Sequence, residues 1–223
     1  MRYCSLLIFI LVWTLIGAPV VYGGVIASST FNTNDEGWTN GNFNSTTPSP
    51  TSVNYLSTGG NPGGHIQVAD NYNWNAFLAP ASYLGNQSAA YLGTVTFDLY
   101  DTYTDTTPSP GIMISDGTTF LYSPLILDSA AGGPPFVSFS VQFKASTGWS
   151  LNVDGSSAAN EAQMQSVLAN LQILAIDADW NNGPDNVHLD NVVLSSAPTG
   201  VPEPGCIALV APFAMWLVLR RRR

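Results

Sequence analysis

Residues 25–200 predict an all-β sandwich with a single short helix, on three observations. Asn, Ser, Thr, Gly and Asp dominate between short apolar runs, a texture foreign to helical or βαβ chains. Val137, Phe139, Val141 and Phe143 alternate with Ser138, Ser140, Gln142 and Lys144, so one face of that stretch is buried and the other wet. The spacing i, i+3, i+4, i+7 is met by Met164, Val167, Leu168 and Leu171.

Taken in order, the apolar runs place strands at His65–Ala69, Val95–Tyr100, Gly111–Ser115, Thr119–Tyr122, Phe136–Phe143, Gln172–Ala178 and Val187–Leu194. The helix falls between the fifth and sixth of these, with Ser156 or Ser157 as its N-cap, and packs across one end of the sandwich. Proline and small polar residues mark Thr46–Ser52, Thr104–Pro110 and Ser195–Gly200 as flexible stretches. Trp38 and Trp149 are expected in the core.

The two ends have a different character. Met1, Arg2, Tyr3, Cys4 and Ser5 precede an apolar run from Leu6 to Val21, closed by Tyr22, Gly23 and Gly24, which is the pattern of a cleavable signal peptide over residues 1–24. At the other end a linker, 196–200, leads to Val201-Pro202-Glu203-Pro204, an uncharged run from Ile207 to Leu219, and Arg220, Arg221, Arg222 and Arg223. That run is shorter than the roughly 20 residues of an ordinary spanning helix. Its insertion therefore relies on local thinning and on arginines reaching the interface. Under the positive-inside rule the four arginines stay cytoplasmic and everything before Val201 lies outside.

Once both ends are set aside, the charge is lopsided. Of 15 acidic residues, 14 lie in 25–200, against Lys144 as the only basic one, a formal charge of −13. Such a surface repels phosphate backbones and excludes nucleic acid as a partner. Both cysteines, Cys4 and Cys206, belong to the end segments, so the folded domain has neither disulfides nor thiolate metal sites. His65 and His188 alone make no structural zinc site of the usual kind and are expected as surface or sheet residues.

The tail closely resembles the PEP-CTERM sorting signal of bacterial surface proteins, in which a Pro-Glu-Pro motif precedes a short membrane segment and an arginine cluster. The resemblance implies recognition by an exosortase and cleavage near Pro202, Glu203 and Pro204. It also implies tethering to the inner membrane followed by delivery to the cell surface or extracellular matrix of an organism that makes exopolysaccharide. Between the ends, an ordered series of short motifs resembles the laminin B domain, also called laminin IV type A. The series is Phe31 with Glu36-Gly37-Trp38, Pro62-Gly63-Gly64-His65-Ile66, Phe77-Leu78-Ala79-Pro80, Tyr83-Leu84-Gly85, Ala90-Tyr91-Leu92-Gly93, Thr96-Phe97-Asp98-Leu99, Ile173-Leu174-Ala175-Ile176 and Val187-His188-Leu189-Asp190-Asn191-Val192. This implies a jelly-roll over residues 25–195, related to galactose-binding and carbohydrate-binding modules, in an extracellular setting and without a reaction of its own. Two departures stand out: Asp177 replaces a frequent arginine, and Leu92 a common glycine.

Three kinds of site are candidates. Related jelly-rolls tie the first segment to the last strand with calcium, for which Asp35, Glu36 and Asp190, with Asp70 a further option, supply the oxygen ligands the ion needs. Sugar binding would use Tyr72 and Trp74, with Tyr100 and Tyr103 of similar chemistry, since a pyranose face stacks on an aromatic ring while Asn and Asp take its hydroxyls. The expected partner is exopolysaccharide or another matrix component, against the alternative of a purely structural surface protein. An enzyme is the remaining alternative. Asp177 and Asp179 share a strand face as a glycosidase's carboxylates would, but their polar edge leaves both hydrated, with no buried general acid. No catalytic residue is assigned.

Overall fold

The computed structural model describes residues 23–43, 50–69, 74–102, 109–126, 133–179 and 186–198. Residues 1–22 of the expected signal peptide, Asp70, Tyr72, Tyr103, and residues 201–223 with the expected sorting motif and arginines lie outside the described residues. Among the described residues no helix is long and apolar enough to cross a membrane.

In chain order the strands are β1 (Val25–Ser29), β2 (Thr39–Asn42), β3 (Thr51–Ser52), β4 (Asn54–Gly60), β5 (Gly63–Ala69), β6 (Asn75–Leu78) and β7 (Thr94–Asp101). They continue as β8 (Ser109–Pro110), β9 (Ile112–Ser115), β10 (Phe120–Tyr122), β11 (Leu125–Ile126), β12 (Val137–Gln142), β13 (Ile173–Asp177) and β14 (Asn186–Ser195). One six-stranded sheet runs β12-β7-β14-β5-β4 with β1 also on β14, and a second runs β10-β9-β13-β6-β2-β3. Every pairing within them is antiparallel. The short β8 and β11 form a separate ribbon.

The period of two decides which side chains meet. Val95, Phe97 and Leu99 of β7, Ile66 and Val68 of β5, and Val187 and Leu189 of β14 face Phe77, Ile112, Ile114, Leu121, Leu174 and Ile176 of the other sheet across one buried core. On β12 the expected alternation holds, with Ser138, Ser140 and Gln142 exposed. Phe139 stacks on its cross-strand neighbour Phe97, ring centroids 5.4 Å apart. Trp38 and Trp149 are both in the core at 1% exposure, as expected. The Trp38 indole donates to Ser29 Oγ at 3.0 Å, the Ser29 hydroxyl lies 3.1 Å from the Tyr83 hydroxyl and can donate to it, and Tyr83 donates its one proton to the Val192 carbonyl at 3.0 Å.

The helix α1 (Glu161–Ala169) buries Met164, Val167 and Leu168 as its spacing predicts, but it starts later than Ser156 or Ser157. Asn160 is the N-cap, because Asn160 and Gln163 each accept the other's backbone amide at 2.9 Å in a reciprocal capping box. Ser156 and Ser157 serve the preceding turn, where the Ser156 amide donates to Asp154 Oδ1 at 2.9 Å and the Ser157 carbonyl accepts from Leu151. The stretches expected to be flexible are likewise not loop throughout, since Thr51–Ser52 and Ser109–Pro110 pair as β3 and β8.

Candidate functional site

Three places in the sandwich gather polar or aromatic chemistry. The first is the outer face of the second sheet. Residues of β6, β9, β10 and β13 that point away from the main core, Ala76, Leu78, Met113, Tyr122 and Ala175, form a second apolar cluster with Phe43. Half-buried Trp74, Phe120, Val153 and Ile173 pack over it. Trp74 lies against Phe43 with centroids 5.0 Å apart, and its indole Nε1 donates to Asp177 Oδ1 at 2.8 Å. One edge of the ring is therefore clamped while part of it reaches solvent.

Asp177 is fully buried at the end of β13, which corrects the expectation that both carboxylates of that edge are hydrated. Besides Trp74 it accepts from the Asp179 amide at 3.2 Å, and Asp179 Oδ2 accepts from the Asn75 amide at 3.2 Å. The two aspartates bind β13 to the start of β6, so each has a structural hydrogen-bonding duty.

The second place is the turn between β4 and β5 where it meets the last strand, with the Asp35–Glu36 turn as the other carboxylate-bearing segment. Asp190 is fully buried, and its two oxygens accept the amides of Asn61, at 2.6 Å, and Asn191, at 2.7 Å. Asn61 and Asn191 side chains in turn donate to Asp98 Oδ2 at 3.1 and 2.8 Å. Glycine is required at position 60, where a Cβ would stand 2.7 Å from Asp190 Oδ2. Glu36 Oε1 accepts from the Thr30 and Phe31 amides at 3.1 and 2.7 Å, and Asp35 Oδ1 from Gly37 at 3.1 Å. Burial raises the Asp190 pKa; the Asn61 and Asn191 amides oppose the rise, while Asp98 and Glu36 add to it by charge repulsion. Asp35, Glu36 and Asp190 thus each accept backbone amides. Among the described residues no group of three or more His, Cys, Asp or Glu side chains is placed to hold a metal ion. The first segment meets the last strand directly, through the antiparallel pairing of β1 with β14, and the turn around Asn61 fastens the β4–β5 hairpin to the same strand.

The third place is the outer face of the first sheet. His65 and His188 are sheet residues as expected, on β5 and β14, yet they are buried and joined, His65 Nε2 to His188 Nδ1, at 2.8 Å. Tyr100 stacks on His188 with centroids 4.1 Å apart and is itself buried, so it offers no exposed sugar platform. His65 Nδ1 has no hydrogen-bond partner, the Thr58 carbonyl being near enough to favour a proton there but outside bonding geometry. Burial lowers the pKa of both imidazoles, and that of His188 falls to about 4 with the His65 charge adding to the effect.

Two sheets of opposed strands, a helix at one end and a clamped aromatic surface define a β-sandwich module of the jelly-roll class. Within that class, the Laminin B (Domain IV) family profile matches residues 76–208, more than half of the chain, and the chain belongs to this family. The L4b domain of human laminin α2 is similar in fold, with a TM-score of 0.60 at 12% identity, covering 78% of this chain and 99% of that one. Remoter similarities include the family 11 carbohydrate-binding module of a cellulosomal cellulase from Clostridium thermocellum, with a TM-score of 0.47 at 11% identity, covering 79% of this chain and 99% of that one. A xylan-binding domain of family 22 has a TM-score of 0.43 at 12% identity, covering 80% and 98%. No curated protein matches the chain.

Proposed function

We propose that the chain is an exported surface protein, processed over residues 1–24 and sorted by an exosortase through Val201–Pro204 and Arg220–Arg223, whose laminin B domain binds glycan or mediates adhesion. The domain extends over 25–195 and is carried on a linker, 196–200. Its binding surface is the face around Trp74, with Tyr72 beside it in sequence. The observation that carries this reading is the state of Trp74: half-buried, held at its indole nitrogen by Asp177 and at its ring by Phe43, it presents a fixed aromatic surface. A ring pre-ordered in this way loses little conformational freedom when a sugar stacks on it.

Catalysis is not part of the proposal. Asp177 and Asp179 would have to be the paired carboxylates, and both already hold backbone or indole donors. On an exopolysaccharide pull-down or glycan array run well below the melting temperature of both proteins, Trp74→Ala should lose at least about tenfold in retention, and its melting temperature should also fall because the indole packs on Phe43 and holds buried Asp177. Equal retention by the folded variant removes the Trp74 face from the reading, and no retention by either protein on any glycan leaves a structural surface protein.

A further inference from the structure

The surface around Trp74 also specifies the charge of what it takes. Along β13 it extends over five residues, about 16 Å of strand. Trp74, Asp177 and Asp179 stand at one end of it. At the other end Phe120 pairs with Ser115, which also pairs with Ile173. Among the described residues, the charged groups bordering it are acidic. Asp179 lies two residues beyond β13, half-exposed Asp116 follows β9 directly, and exposed Asp154 adjoins Val153. Hydrogen bonds from Thr119 and Thr118 outweigh partial burial and lower the Asp116 pKa, while bonds from Ser156 lower that of Asp154, so both stay ionised. Lys144, the single cation of residues 25–200, belongs to the corner where β12 meets the 3-10 helix Ala145–Thr147.

Resting on the glycan-binding reading above, we infer that this face selects uncharged polysaccharide and rejects chains bearing uronate or sulfate. Carboxylate and sulfate groups are recognised by arginine or lysine in forked or point-charge contacts, and the face has neither to offer. An anionic sugar brought onto Trp74 would give up hydration for an apolar surface ringed by like charge. A neutral pyranose carries no charge to oppose the bordering carboxylates, and its hydroxyls can donate to them while its face stacks on the ring.

The test is affinity electrophoresis or column retention of the full chain in detergent, with a chelator present to remove cation-bridged adsorption. Dextran, galactomannan and mixed-linkage β-glucan are compared with alginate and polygalacturonate. At about 0.01 M ionic strength at least one neutral polymer should bind at least about tenfold more tightly than either polyuronate, and the gap should narrow at about 1 M as charges are screened. The double variant Asp116→Asn and Asp154→Asn, which keeps the turn acceptors, should leave neutral binding within about twofold and raise polyuronate binding. Polyuronate bound as tightly as the neutral polymers at low salt, and lost in Trp74→Ala, would overturn the selectivity while leaving the glycan reading intact. Failure to bind any of the five polymers would remove both.

Discussion

Leu92 holds a backbone angle that favours glycine. It has φ +63°, half-way round the last turn before β7, and 36% of its surface is exposed. An L-residue there costs about 1 kcal/mol that glycine avoids, part of which glycine returns through its freer unfolded chain. Leu92→Gly should therefore raise the urea midpoint, by up to about 1 kcal/mol of stability; a lower midpoint would mean that the leucine side chain packs usefully. The paired imidazoles give a second test at this scale. A histidine whose folded pKa is depressed contributes stability above its unfolded pKa of 6.5, and that contribution is lost as pH falls through the folded value of about 4. Relative to His188→Gln, the wild type should lose roughly 3 kcal/mol between pH 7 and pH 4 in denaturant titrations. Asp190 acts in the opposite sense, since its raised pKa favours the fold as pH falls, so the difference between the two proteins isolates the histidine. Residue identity made the burial of Trp38 and Trp149 legible. It left the burial of Asp177 and the histidine pair unread, because both depend on neighbours more than 100 positions away in the chain.

Among the elements, legibility followed amphipathic contrast. β12, β13 and β14 were readable because each carries a run of apolar side chains that one sheet face must bury. β2, with the sequence Thr-Asn-Gly-Asn, gives no such signal, yet it sits between β3 and β6 with Asn40 facing the core opposite Phe77. Neither amide atom of Asn40 has a hydrogen-bond partner, so this strand is held by its neighbours against local preference. β4 ends in Ser-Thr-Gly-Gly and bulges away from β5 between Leu56 and Gly60, which again hides it from a period-two reading. The helix start was misplaced for a related reason: serine is as good a cap as asparagine, and only the reciprocal partner Gln163 distinguishes them. Asn160→Ala should accordingly cost about 1 kcal/mol of stability, and Ser156→Ala much less, by urea denaturation. Equal losses in the two variants would contradict the observed cap.

For the whole molecule, the sandwich and its family were legible from the order of short motifs, whereas the face around Trp74 had to be assembled from strands distant in sequence. Display outside the cell is the claim on which the glycan reading depends, and it rests on the physical character of the two ends. A domain with a formal charge of −13, followed by an uncharged run and four arginines, has opposite charge on the two sides of that run. On the proposed topology the arginines hold the C-terminus inside, so a variant lacking Arg220–Arg223 should insert poorly or be released uncleaved. Replacing Pro202, Glu203 and Pro204 by alanine leaves the apolar run and the arginines in place, so tethering should persist without processing. The most direct measurement is mass spectrometry of the mature C-terminus, with membrane fractionation, in an exosortase-bearing host. Wild type should end near Pro202–Pro204 and leave the membrane fraction, while the triple-alanine variant should remain there at full length. A triple-alanine variant trimmed at the same place as wild type would contradict sorting by this tail and leave only a plain membrane tether.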